Sequence, residues 1–465
     1  MLKRSDLLPY QHRIGNHIKA TRNNAIWSFM GSGKSVSTAT AIADLQDTCE
    51  VRRVLIPAPK RVARMVWSQE VKEWEHLQHL KVIRIIGDAK QCFEAMKEPA
   101  DIHTIGRDRL PWLHAQFIQD GKQIVDWPWD MVVLDESQSY ASQSSKRFKA
   151  LADLRVKTKF PRMTQLTGTP MPNGYETLWS QMWLLDKGKR LGSTQNAFRE
   201  RWFSPPTGMW AKWQIMPHAP REIHDLLRDL VLVLRECDYL DLPPVIDNFV
   251  HCQLSPQAMR TYKKFEREFI AEVAGRTLTA VNAGVLDGKL LQLANGAAYV
   301  GQDRDWIIFH DEKLEALEET LDGIPGKALI AYSFNHDKAR ICQVLDRIGR
   351  AEGRTWRLLN SDKDFQDWSD GRIDWGLAHP ASCGHGLNIQ GQADDLIFFG
   401  MTANLELYEQ IRARLAGGHR RAGRNVRVHH IVCDGTRDQA YVDLIKRKAL
   451  SQDNLMASLA VKIAT

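Results

Sequence analysis

At 465 residues the chain has room for two to four domains, since domains run to roughly 100–200 residues each. Hydrophobic residues at 43% and charged residues at 26% supply a full core and exclude wholesale disorder. Lys and Arg number 63 against 56 Asp and Glu, and the resulting +7 suits a polyanionic partner without demanding one. The seven cysteines are odd in number and never spaced C-x-x-C, which argues against a disulfide framework or a zinc finger. The opening MLKRSDLLPYQH holds no apolar stretch of signal-peptide length, and no later run approaches ~18 apolar residues. A soluble, intracellular protein that does not engage membranes is expected.

Short apolar runs alternate with helical patterns in two series. The first series holds Val54–Ile56, Val82–Ile86, Met131–Leu134 and Met163–Leu166. The second holds Ala328–Tyr332, Trp356–Leu359, Trp375–Ala378, Leu396–Phe399 and Val426–Val432. Nearly all-apolar strands between helices predict parallel sheets covered on both faces. The fold class is therefore α/β, with two such lobes in tandem. Residues 187–244 are rich in Arg, Pro, Gly and Trp, and 255–293 reads as helical, with Tyr262, Phe265, Phe269 and Val273 on one stripe. The expected layout is a first lobe at 1–186, an insertion and mainly helical connector at 187–300, and a second lobe at 301–465. Trp202, Trp210 and Trp213 cluster in the insertion and read as packing residues before they read as platforms for unpaired bases. Cys237 and Cys252 flank His251 without metal-ligand spacing and read as buried thiols.

Chemistry enters at Met30-Gly-Ser-Gly-Lys-Ser35, which follows the apolar Ala25-Ile-Trp27 and opens a helical run. Gly31, Ser32 and Gly33 let backbone N–H groups approach phosphate oxygens, and Lys34 adds a full positive charge. Ser35 offers a hydroxyl to Mg²⁺. The complete phosphate-loop pattern wants a glycine five positions before Gly33, where Ser28 stands. Some 101 residues on, Asp135 and Glu136 end the strand Met131–Leu134, at the sheet edge where α/β proteins bind ligands. Asp135 is placed to hold the metal, and Glu136 to orient or deprotonate the attacking water.

Several further blocks resemble, in order, the Swi/Snf-type ATPases of helicase superfamily two, in particular the compact form encoded by phages. The resemblance runs from Leu8 to about Lys448. Leu8-Pro-Tyr-Gln11 is similar to the adenine-reading element, with Gln11 on the adenine edge. Val54–Lys60, continuing to Trp67 and Trp74, resembles the DNA-backbone loop and its following helix. Asp135-Glu-Ser-Gln138 stands at the Asp-Glu box. Leu166–Asn173 matches the coupling motif through Thr167, Gly168 and Thr169, and Ala381–Gln390 looks like the Gly-x-Gly-Leu-Asn box. The closing Gly435-Thr-Arg-Asp438 is also typical of the family.

The resemblance implies two RecA-like lobes, ATP and Mg²⁺ as cofactors, and arginines delivered from the second lobe. Gln410 opens the arginine block and is carried over as a coupling residue. Arg414, Arg420 and Arg421 are the candidates for the γ-phosphate, with Arg421 preferred over Arg420 because Arg421-Ala-Gly is similar to the family's Arg-Ile-Gly. DNA contacts are expected from Lys60, Arg61 and Thr104 in the first lobe, and from Ser333, His385 and Asn388 in the second. The expected activity is that of a DNA-stimulated ATPase, a monomeric motor that moves on mainly double-stranded DNA. A strand-separating or annealing helicase acting on single-stranded or forked DNA is the neighbouring alternative. From another class comes a nucleotide-dependent DNA scaffold for a partner nuclease. A replication protein is a further conceivable partner, and the host cytoplasm is the expected compartment if a phage encodes the chain.

Overall fold

The computed structural model describes residues 1–205, 213–274, 280–300, 305–383, 393–402, 404–416 and 425–459. Two compact units divide the chain: Met1–Leu240 together with 450–465, and Asp241–Ala449.

The first unit is built on seven parallel strands. They are β1 (Asn23–Ser28), β2 (Val54–Ala58), β3 (Val82–Ile85), β4 (Ile102–Gly106), β5 (Met131–Asp135), β6 (Arg162–Thr167) and β7 (Val231–Leu234). Their order across the sheet is β7-β1-β6-β5-β2-β4-β3. Side chains alternate between two cores, as a pleat of period two requires. Ala25, Trp27, Leu55, Val132 and Leu134 fill one face, and Ile26, Val54, Ile56, Met131 and Val133 fill the other. This double burial is why these segments read as continuous apolar runs.

The second unit repeats the plan with six parallel strands: β8 (Ile246–Cys252), β9 (Ala328–Ala331), β10 (Trp356–Leu358), β11 (Trp375–Ala378), β12 (Asp395–Phe398) and β13 (Arg427–Cys433). The order is β8-β13-β12-β9-β11-β10. Two RecA-like parallel-sheet lobes in tandem are therefore present. Residues 187–300 divide between them: β7 extends the first sheet beside β1, and β8 extends the second beside β13. The helical reading of 255–293 corresponds to two helices, Pro256–Ala274 and Ala280–Ala294. Of the stripe on the first, Tyr262 is buried and Phe265 packs against the same core. The last turns of helix Arg437–Leu459 bury Leu455, Met456 and Leu459 in the first unit's core.

Trp202 is buried and donates its indole N–H to Glu222, so it packs and does not present a stacking face. Trp213 leans half-buried on the same core. Cys252 is buried and faces Cys433 across the β8–β13 pair, but Cys237 is exposed, so burial explains only the first of the two predicted thiols. Among the described residues no helix is long and apolar enough to cross a membrane.

One buried ion pair ties the second unit together. Lys313 and Asp438 are both fully buried, 2.5 Å apart, and Lys313 Nζ also donates to Asn295 Oδ1 at 2.8 Å. Removing one partner of such a pair strands a charge in a low-dielectric interior. Lys313→Met should therefore cost about 3–5 kcal/mol in urea denaturation, and Lys313→Met with Asp438→Leu should recover most of it. An unchanged denaturation midpoint for the single variant would contradict this assignment.

Candidate functional site

Three neighbouring strands set up the site. In the order β1-β6-β5, Trp27 pairs with Thr167 and Asp135 pairs with Leu166. All three strands run the same way, so the segments after Ser28, Thr167 and Asp135 leave the sheet side by side at its carboxyl edge.

The loop after β1 turns through Gly31 and Gly33, at φ 77° and 75°, and enters helix α2 (Lys34–Asp47). These left-handed angles suit glycine. Gly33 is constrained a second time, because a Cβ there would stand 2.1 Å from Gln11 Nε2. Gln11 lies on α1 (Pro9–Ala20), accepts the Leu8 N–H at 2.9 Å and donates to the Ser32 carbonyl at 3.2 Å. It is thereby held against the loop. Ser28, the departure from the phosphate-loop pattern, is the last residue of β1, and its hydroxyl shares a 2.8 Å hydrogen bond with Ser32 Oγ. Lys34 Nζ donates to the carbonyls of Ser28 and Phe29 at 3.0 and 3.1 Å. Ser35 follows in the first turn of α2, half-buried.

Asp135 is buried at the end of β5, and its Oδ2 accepts the indole N–H of Trp67 at 3.1 Å. Burial pushes its carboxyl up to about 6, and the neighbouring Glu136 charge adds to this; the Trp67 hydrogen bond and the Lys34 charge pull the other way. Glu136 adopts φ 55°, a left-handed angle that costs a non-glycine residue about 1–3 kcal/mol and is found where a functional group must be aimed.

A chain of hydrogen bonds then runs from Glu136 into the segment after β6. Gln138 Nε2 donates to Glu136 Oε2 at 2.8 Å, and Thr167 Oγ1 donates to Gln138 Oε1 at 2.6 Å. Thr167 Oγ1 in turn accepts the Thr169 N–H at 3.0 Å. Each group uses a different donor or acceptor, so the amide orientation of Gln138 follows from its partners. Gly168 passes close beneath the loop, since a Cβ there would lie 3.2 Å from Met30 Cγ and 3.5 Å from the Ser28 carbonyl. Gln138 was visible in the sequence as part of the Asp-Glu box, but its linking role depends on strand order.

A hydroxyl and a carboxylate, which Ser35 and Asp135 offer, are oxygen donors of the kind that a hard cation such as Mg²⁺ takes. Among the described residues no cluster of three or more His, Cys, Asp or Glu could hold a metal by itself.

The structure thus gathers Gln11, Gly31, Ser32, Gly33, Lys34, Ser35, Asp135, Glu136, Thr167, Gly168 and Thr169 at one edge. Lys60 is exposed at the start of α3 (Lys60–Arg64), with Arg61 next to it. Thr104 requires a correction. It is fully buried within β4, and its hydroxyl donates to the Ala63 carbonyl at 2.7 Å, so it braces α3 and does not face DNA. In the second unit Ser333 is half-buried and donates to the Gly400 carbonyl at 3.3 Å. Gln410 and Arg414 lie on helix Leu405–Ala416, where Gln410 is buried and donates to Glu406 at 3.2 Å. His385, Asn388, Arg420 and Arg421 fall outside the described residues.

Comparison with known proteins gives a family match. A model of the SNF2-related domain matches residues 20–294. Protein p41 of Acyrthosiphon pisum secondary endosymbiont phage 1 is 36% identical over 98% of this chain and 98% of its own length. Helicase ssl-1 of Caenorhabditis elegans is 28% identical over 52% of this chain, which spans 10% of that protein. Among solved structures, the Sulfolobus solfataricus SWI2/SNF2 ATPase core in complex with dsDNA covers 97% of this chain at 22% identity, with a TM-score of 0.45.

Gly33→Ala should cost about 1–2 kcal/mol through its left-handed angle alone, measured by thermal or urea denaturation. Adding Gln11→Ala should relieve the steric clash but leave that cost. Wild-type stability in Gly33→Ala would contradict the loop geometry.

Proposed function

The chain belongs to the SNF2-related family, and from that membership we propose that it is a DNA-stimulated ATPase that converts hydrolysis into movement along DNA, mainly duplex. The observation that carries this reading is the hydrogen-bonded path from Glu136 through Gln138 and Thr167 to Thr169. It connects the residue best placed to act on water with the segment similar to the family's coupling motif.

In this reading the α2 N-terminus and Lys34 receive the triphosphate, and Lys34 exchanges its two loop carbonyls for phosphate oxygens. Bound Mg²⁺, held by Ser35 and Asp135, would neutralise charge on the β- and γ-phosphates. Glu136 takes a proton from, or orients, the attacking water, with Gln138 fixing its carboxylate. The charge that develops on the γ-phosphate calls for cations beyond Lys34. Arg414, Arg420 and Arg421 are the proposed source, with Arg421 preferred, and such a residue contributes on the order of 10³–10⁵ in rate. Lys60, Arg61, Ser333, His385 and Asn388 are the proposed contacts to the DNA backbone, giving affinity that falls as salt rises.

Lys34→Ala should abolish DNA-stimulated ATP hydrolysis in a folded protein; undiminished turnover would remove the site. Glu136→Gln should retain ATP and DNA together while hydrolysis falls at least a hundredfold, as expected for loss of a general base. Hydrolysis at the parental rate in Glu136→Gln would reassign the water-activating role.

A further inference from the structure

Trp67 sits two residues into α4 (Val66–Glu73), fully buried, and its indole N–H ends on the Asp135 carboxylate 3.1 Å away. Helix α4 follows α3 through the single residue Met65, whose backbone N–H is still held by the Arg61 and Val62 carbonyls. The Met65 carbonyl in turn accepts from Gln69 N–H. The two short helices are therefore one hydrogen-bonded piece bent at Met65. Its outer arm carries Lys60, Arg61 and Arg64, and its inner arm carries the indole on Asp135.

The outer arm borders a cavity of about 750 Å³ lined by Lys60, Arg64, Gly87, Gln91, Gly106 and Arg109, among others. Three of these side chains are cationic. The one acid on its wall, Asp108, pairs with Arg147 at 3.2 Å. A phosphodiester backbone fits this lining by charge. Two side chains hold the far end of α3: Thr104 on the Ala63 carbonyl and Arg84 on the Arg64 carbonyl at 3.1 Å.

We propose that Trp67 is a positioning residue for Asp135, and that through α3 and α4 it makes the metal carboxylate respond to phosphodiester bound beside Lys60 and Arg64. The proposal rests on the ATPase reading above and extends it to how DNA is sensed. An indole N–H is a donor only, so it fixes one carboxylate oxygen without cancelling the charge a cation needs. An ammonium or guanidinium in its place would compete with the metal. Outer-shell donors of this kind typically govern metal affinity by 10–100-fold. Coupling is reciprocal, so DNA that tightens metal binding must itself bind more tightly when metal is present.

The test measures Mn²⁺ binding to the ADP-loaded protein by electron paramagnetic resonance, with and without a duplex oligonucleotide. Trp67→Phe keeps an aromatic ring, smaller than the indole, and loses the donor; it should weaken Mn²⁺ binding at least tenfold and abolish the tightening that duplex produces in the wild type. Trp67→His, which restores a ring N–H, should recover part of both. Trp375→Phe, which removes another buried indole from the second unit, should change neither. Wild-type Mn²⁺ affinity in Trp67→Phe overturns the positioning role. Weakened Mn²⁺ binding that duplex still tightens by the wild-type factor overturns the link to the cleft. Should the variants fail to fold, hydrogen exchange of the wild-type segment 60–73 decides: duplex and Mg²⁺·ADP should each slow it, and no change with either overturns the proposal. A wild type that hydrolyses no ATP under any condition would defeat the ATPase reading, while the Mn²⁺·ADP arm would still report on Trp67.

Discussion

The parallel adjacency of β1, β6 and β5 is the constraint on which the rest depends. Because Trp27 pairs with Thr167 and Asp135 with Leu166, three loops far apart in sequence leave the sheet at one edge, on three adjacent strands. The glycine turn after β1, the Glu136 carboxylate and the Thr167–Thr169 segment then meet without any long-range loop ordering. Reversing one of these strands would send its group to the opposite edge, and permuting their order would move the groups apart along the same edge.

Apart from those of Lys34, the side-chain hydrogen bonds described at this edge come from neutral donors. Gln138, Thr167, Trp67 and Gln11 each orient a neighbour without adding charge. That choice leaves Lys34 as the cation whose charge acts on Asp135 from the phosphate loop itself. Glu136 carries a left-handed backbone in addition, so the polypeptide aims this carboxylate at a conformational cost that packing elsewhere offsets.

Much of this was legible in the sequence, and the exceptions have physical reasons. Strands buried on both faces announce themselves as apolar runs, so β2, β5 and β6 were readable, as were β9, β11, β12 and β13 in the second unit. The edge strands β3 and β10 are only partly buried and were legible through Val82, Ile83 and Ile85 and through Trp356 and Leu358. Strand β7, Val231–Leu234, is equally apolar but sits in a stretch of Arg, Pro and Trp that reads as an insertion. Strand β8, Ile246–Cys252, lies at the end of its sheet and stays largely exposed, so its Asp, Asn and His residues hide it. The glycine turn at 31–33 and the Asp135-Glu136 pair at a strand end were plain because their residues are contiguous. Thr104 misled because a hydroxyl next to a strand end looks solvent-facing, whereas the fold turns it onto the Ala63 carbonyl. The bond between Trp67 and Asp135 spans 68 residues and exists only through packing, so no local pattern signals it.

The central claim is that the first unit's edge hydrolyses ATP in response to DNA. Its most direct test is the steady-state hydrolysis rate of the wild-type protein, at fixed salt, with no nucleic acid, single strands, blunt duplex and forked DNA. The account predicts a low basal rate that blunt duplex raises at least tenfold, with stimulation falling as salt increases. A rate that is the same in all four conditions would contradict it.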